Sequence, residues 1–241
     1  MRKKVVLLIC ALASSGVSIA AAPACPPADG ADAKPTFDAT LLKEGRFIYH
    51  TTLKGESLGE TAIEIRRAGA QFIVSMSAPK IAQAWRATVA QSFAPLAASL
   101  EMRGRKGPYA MELKYSGASV TGEEREGGVT RSVSASVEGV VIDQRVDWAA
   151  MMASKAPANS SITMRVFDPS SGVSEMLGRI GGTQSIRGSW GEAAALRLDY
   201  TICKREQLEE YTVYATRETP RYMLREDMPN GLVSELVRIE P

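Results

Sequence analysis

Between Phe47 and Met76, apolar and β-branched positions alternate with polar ones in three short runs separated by glycines. Phe47, Tyr49 and Thr51 share one face, Thr61, Ile63 and Ile65 a second set, and Phe72, Val74 and Met76 a third. Successive side chains leave a strand on opposite sides, so this period of two predicts a half-buried antiparallel sheet. Gly55 and Gly59 supply the positive φ that a tight hairpin needs. The rhythm returns at Leu100 and Met102 and, beyond a turn at residues 104–107, at Tyr109, Met111, Leu113 and Tyr115. Val120 leads into a polar turn expected over residues 122–128, and the pattern resumes from Val129 to Val137. Further strands are expected around Ile162–Val166 and at 173–180, 184–190, 194–203, 209–216, 221–226 and 232–239. Their turns fall at residues 170–172, Gly181-Gly182, Gly191, Pro220 and Pro229-Asn230-Gly231. Strands about ten residues apart with short turns predict a mainly β fold, an antiparallel barrel or strongly curved sheet.

Two stretches break the alternation. After Ser77 and Pro79, the residues Ile81, Trp85, Val89 and Phe93 recur every four positions, predicting an amphipathic helix that ends before Pro95. Residues 140–154 hold a second predicted helix, with Val146, Ala150 and Met151 on one side and Trp148 beside them.

Residues 1–24 have the form of an export signal and stand apart from the fold. Arg2, Lys3 and Lys4 precede an apolar run from Val5 to Ala13, and Ser18-Ile19-Ala20 or Ala22-Pro23-Ala24 offers a cleavage site. The run is too short and too soon diluted by serine and glycine to make a good membrane span. Residues 25–42, rich in proline, alanine and aspartate, are expected to be a flexible linker, and 43–241 a single β domain. Losing Arg2, Lys3 and Lys4 from the 29 basic residues leaves 26 against 27 acids, with no basic patch for a nucleic acid. Of the three cysteines, Cys10 lies in the signal. Cys25 and Cys203 can pair in an oxidising compartment, ahead of a lipidated Cys25, with two free thiols as the third alternative.

Several residues invite a chemical reading. Gly55-Glu56-Ser57-Leu58-Gly59 satisfies the nucleophile-elbow pattern of hydrolases, which requires a helix after the serine. Residues 60–66 instead alternate like a strand, and the lone histidine, His50, precedes Ser57 where that fold places it later. A hairpin explains the motif better. Asp143 and Asp147 are four apart, on one face of a helix that starts early enough. Capping and first-turn roles account for them better than glycoside chemistry. Glu123, Glu124 and Glu126 lack the alternating oxygen ligands of a calcium loop. Two cysteines and one histidine fall short of a zinc set, so neither metal nor cofactor is expected.

The order of motifs along the chain carries a resemblance. It runs from the F-x-Y strand and glycine hairpin (Phe47 to Gly59) through Phe93-Ala94-Pro95-Leu96 to Val141-Ile142-Asp143 before a short helix. Val166-Phe167-Asp168-Pro169, Gly188-Ser189-Trp190, Pro220-Arg221-Tyr222 and the closing residues 231–236 complete it. From about Gly45 to Glu240 the chain resembles the bacterial family called domain of unknown function 3108, from whose pattern the helix after Pro79 departs. The resemblance implies a periplasmic protein with a curved, incompletely closed barrel, similar in shape to the periplasmic lipoprotein carriers, and it brings no catalytic residues. The expectation is a non-enzymatic cell-envelope protein holding a lipid or other apolar ligand. Phe47 and Tyr49 on the first strand, with Trp85 and Trp148 on the helices, are the expected lining, against the alternative that all four are ordinary core. An interaction module that pairs an exposed strand edge with another envelope protein is the second hypothesis, and a hydrolase using Ser57 the third.

Overall fold

The computed structural model describes residues 35–204 and 207–240; the expected export signal and Cys25 lie outside them. The three opening runs form β1 (Gly45–Leu53), β2 (Glu56–Ala68) and β3 (Gln71–Ala78). They continue into β4 (Gln83–Ala90), β5 (Pro95–Gly104), β6 (Gly107–Ser116), β7 (Ser119–Glu126) and β8 (Val129–Ser136), each antiparallel to the one before. Then β9 (Val141–Asp143) leads through a 3₁₀ turn, Gln144–Val146, into the helix α1 (Asp147–Ala153). The chain ends as a second meander, β10 (Ser160–Asp168), β11 (Gly172–Gly188), β12 (Gly191–Lys204), β13 (Gln207–Thr216), β14 (Met223–Met228) and β15 (Leu232–Glu240).

Among the described residues all fifteen strands belong to one sheet, ordered β8 to β1 and then β15 to β9. Pairing of β1 with β15, from Arg46 opposite Glu240 to Leu53 opposite Leu232, joins the two meanders. β9 runs parallel to β10, and no hydrogen-bonded ladder joins it to β8, so the sheet is an incompletely closed barrel. All seven residues of α1 are buried, and strands from both meanders surround it. Gly178 on β11 makes room for the helix: a Cβ there would come within 2.7 Å of Met151 Sδ.

The sheet departs from the sequence expectation at four places. The helix expected after Pro79 is a single 3₁₀ turn, Pro79–Ile81, followed by the strand β4. A spacing of four satisfies a period of two as well as a helical one, and Ala87, buried between Trp85 and Val89, fills the intervening strand position. Ala82, at φ 51°, ends the 3₁₀ turn. Trp85 is therefore on a strand. Residues 122–126 are not a turn but most of β7, since Gly122 sits where a Cβ would meet the Glu112 carbonyl oxygen at 2.0 Å. Likewise Gly181-Gly182 is no turn. β11 runs through it with a register shift, a Cβ on Gly181 would lie 2.8 Å from the Arg197 carbonyl oxygen, and the real turn follows Gly188. Finally, the last residues of the expected linker are docked. Phe37 bridges to Ser154 and Leu42 to Arg221, and Phe37, Ala39 and Leu42 are buried. Asp38 fixes this segment by accepting hydrogen bonds from Thr40 N and Oγ1 and by an ion pair with Lys155 at 2.9 Å.

Candidate functional site

Around α1 the curled sheet leaves a cavity of about 490 Å³. One wall is apolar and comes from the first meander: Ile63, Met76, Ile81, Trp85 and Leu100. Opposite stand Trp148 and Asp147 from α1, Tyr200 and Lys204 from β12, Tyr211 from β13 and Glu226 from β14. Strand parity delivers the polar residues. Leu198, Tyr200 and Ile202 alternate inward on β12, as do Leu224 and Glu226 on β14, so an acid occupies a position whose neighbour on the same face is leucine.

Two carboxyls share one hydroxyl here. Tyr200 Oη lies 3.3 Å from Asp147 Oδ1 and 3.3 Å from Glu226 Oε1, and all three residues are buried. The Trp148 backbone N–H donates to the same Asp147 oxygen at 2.6 Å. Burial pushes Asp147 up to about 7 and Glu226 up to about 8; the Asp147 charge raises Glu226 further, while the Trp148 bond, Tyr200 and the nearby Lys204 charge hold Asp147 down somewhat. Burial likewise raises the Tyr200 phenol well above its ordinary value. Its ring stacks flat on Tyr211, with centroids 4.7 Å apart and planes 2° apart. Tyr211 Oη and Lys204 Nζ both donate to Glu209 Oε2, at 2.8 and 2.6 Å. Further along the wall Thr51, Thr61 and Ser234 form a hydroxyl chain, at 2.9 and 3.1 Å.

The expected lining residues divide. Trp85 and Trp148 both line the cavity, the first from β4 and the second from α1, where its indole N–H donates to the Arg145 carbonyl at 3.1 Å. Phe47 and Tyr49 lie in the packed interior at 1% exposure, outside the cavity lining. Phe47 is stacked on Tyr222 with centroids 5.6 Å apart, and Tyr49 Oη donates to the Met223 carbonyl at 2.9 Å. The pair Asp143 and Asp147 is split. Asp143 caps the 3₁₀ turn through Arg145 N and is ion-paired with the Arg145 guanidinium, which also lies 3.5 Å from Asp168. Asp147 turns to Tyr200 instead. Glu226, Tyr200 and Lys204 were missed from sequence, although each stands at an inward position of an alternating run.

The remaining candidates lie elsewhere. Ser57 is exposed near the start of β2, accepts a bond from Gly59 N at 3.2 Å, and is followed by strand and not by helix. His50 is exposed on β1 opposite Glu60. Glu123, Glu124 and Glu126 are on β7, where Glu124 accepts from Tyr109 Oη at 2.7 Å. Cys203 is disulfide-bonded, while Cys25 lies outside the described residues. Among the described residues no group of three or more metal-ligating side chains is gathered, and no helix is long and apolar enough to cross a membrane.

No curated protein and no solved structure matches the chain. A family model does, over residues 48–239, which takes in both meanders and every residue of the cavity described above. The chain thus belongs to the DUF3108 family of proteins of unknown function.

Proposed function

We propose that this is an exported, periplasmic protein of the cell envelope that holds a lipid or other apolar ligand beneath its curved sheet, without chemical turnover. The observation that carries the reading is the cavity itself. It has the size usual for small-molecule sites, and Ile63, Met76, Trp85, Leu100 and Trp148 give it an apolar surface beside the polar groups of α1, β12 and β14. The basic and apolar pattern of residues 2–13 supports export. Native mass spectrometry of protein purified from the periplasm, followed by solvent extraction, tests the proposal. Near-stoichiometric copurified lipid is the expected result. A bare-chain mass, together with no uptake of an added single-chain lipid, overturns it.

A second reading has its own observation. β8 is an edge of the sheet, most of its residues are exposed, and Val129 is 57% exposed. Such an edge offers main-chain groups to a strand of another envelope protein. A bare chain that captures a partner, with capture lost on placing proline within β8, would favour it.

A further inference from the structure

We infer that the cavity selects an amphipathic amine: a single apolar chain lies along the Trp85 wall, and a protonated amine head sits between Asp147 and Glu226. The inference rests on the ligand-holding reading above and names the chemistry of the ligand's head.

The charges of the lining point that way. Both bases that face the cavity already have acids of their own, Lys204 with Glu209 at 2.6 Å and Arg145 with Asp143 and Asp168. Asp147 and Glu226 have no basic partner within ion-pair distance among the described residues. Each uses one oxygen toward Tyr200. The others, Asp147 Oδ2 and Glu226 Oε2, have no hydrogen-bond partner among the described residues, although the two side chains are 4% and 8% exposed and line the cavity. Two acceptors left open beside an apolar wall suit a head group that carries several N–H donors and a positive charge. A carboxylate or phosphate head would meet excess negative charge at the same place. The Tyr200–Tyr211 stack beside the acids offers aromatic surface to a cation as well.

Binding is then coupled to protons. The groups facing the two acids are Tyr49 on β1, Tyr200 and Lys204 on β12, Glu209 and Tyr211 on β13, Asp227 on β14 and Asp143 before α1. The free pair holds protons near neutrality because burial raises it to about 7 and about 8. An ammonium head favours the ionised forms, so it expels protons on entry and its affinity rises with pH up to about 8.

Dodecylamine, dodecanol and dodecanoate, each below its micellar concentration, discriminate by titration calorimetry and tryptophan fluorescence. The amine is expected to bind about tenfold or more tighter than the alcohol at pH 8, and the alcohol tighter than the carboxylate. Amine binding should release protons, seen as a dependence of the measured heat on buffer ionisation enthalpy. Glu226→Gln should abolish most of the amine's advantage while dodecanol still binds, which shows that the cavity persists. Equal affinity for amine and alcohol, or tighter binding of the carboxylate, overturns the head-group assignment and leaves the apolar cavity standing. Binding of none of the three overturns both.

Discussion

Asp147 and Glu226, 79 positions apart in the sequence, approach the same phenolic oxygen, that of Tyr200, each at 3.3 Å. A phenol has one proton to donate, so it can satisfy only one ionised carboxylate at a time. The second carboxyl completes the bridge by donating a proton of its own. Asp147 also accepts the Trp148 N–H, which makes it the better acceptor of the two, and Glu226 the better place for the proton. The raised values of about 7 and about 8 have the same order.

Stability should therefore fall as pH rises through neutrality. Carboxyls of an unfolded chain release their protons near pH 4, whereas these two keep theirs to about 7 and about 8 in the fold. Across that window the folded state binds more protons than the unfolded one, so unfolding free energy declines with pH and levels off above about 8. Asp38 works in the opposite sense. The hydrogen bonds from Thr40 and the Lys155 ion pair lower its value, so its contribution is lost only below about pH 4. Urea denaturation of the wild type and Glu226→Gln at pH 5 and pH 8 checks this. The wild type should lose stability between them, and the variant should lose distinctly less.

Removing the shared hydroxyl should cost more at high pH than at low pH. Tyr200→Phe keeps the stack on Tyr211, so packing changes little, but both acids lose their common partner. A buried acceptor left unsatisfied costs about 1–3 kcal/mol. The penalty should approach the upper figure at pH 8, where Asp147 is ionised, and the lower one at pH 5. Tyr211→Phe, which removes only a bond to half-buried Glu209, is the control, with a small loss that does not change with pH.

Most strands were legible because antiparallel meanders leave their period of two in the sequence, clearest in Phe47-Ile48-Tyr49 and in Leu232 to Ile239, whereas the junction of β1 with β15 leaves no local mark. Trp85 falls on a strand although its spacing predicts a helix, because four-residue spacing suits both periods and only the alternate position at Ala87 separates them. Gly122, Gly181 and Gly182 suggest turns in the sequence, since a local sequence does not separate a glycine needed for positive φ from one needed for close backbone approach. The cavity was half legible. Trp85 and Trp148 stand out by size, but Glu226 becomes meaningful only when β14 curls to face α1, a contact between residues far apart in the chain. Tyr200 lay hidden for the same reason. The Asp143–Asp147 pair drew notice through its spacing, yet its two members serve different networks.

Gly122→Ala tests close approach directly. Its backbone is not in the left-handed region, so any penalty comes from the Glu112 carbonyl, 2.0 Å from the added Cβ. That atom is main chain and cannot swing away, so β6 and β7 must part locally at a cost of about 1–3 kcal/mol. Amide hydrogen exchange should quicken along β7 and β8, the outer end of the first meander, and leave β12 to β15 unchanged. Gly117→Ala, in the neighbouring turn at φ 56° with open space at its Cβ, should lose stability through backbone strain alone and leave exchange in mid-β7 as it was.

Arg145 carries the last expectation, because it lines the cavity while held in a buried ion pair with Asp143. Asp143 is fully buried and Arg145 nearly so, with side-chain exposures of 0% and 7%. Tyr115 Oη also donates to Asp143, at 2.5 Å, tying β6 to the turn before α1. Arg145→Ala strips the aspartate of its counter-charge and leaves a buried anion with a single phenol and a backbone N–H, which should cost about 3–5 kcal/mol. Arg145→Met combined with Asp143→Asn removes both charges and refills most of the volume, so it should recover the greater part of that loss. Chemical denaturation of the single and double variants measures the difference. If the double variant is no better than Arg145→Ala, packing of the guanidinium stem, and not the unpaired charge, holds the turn in place.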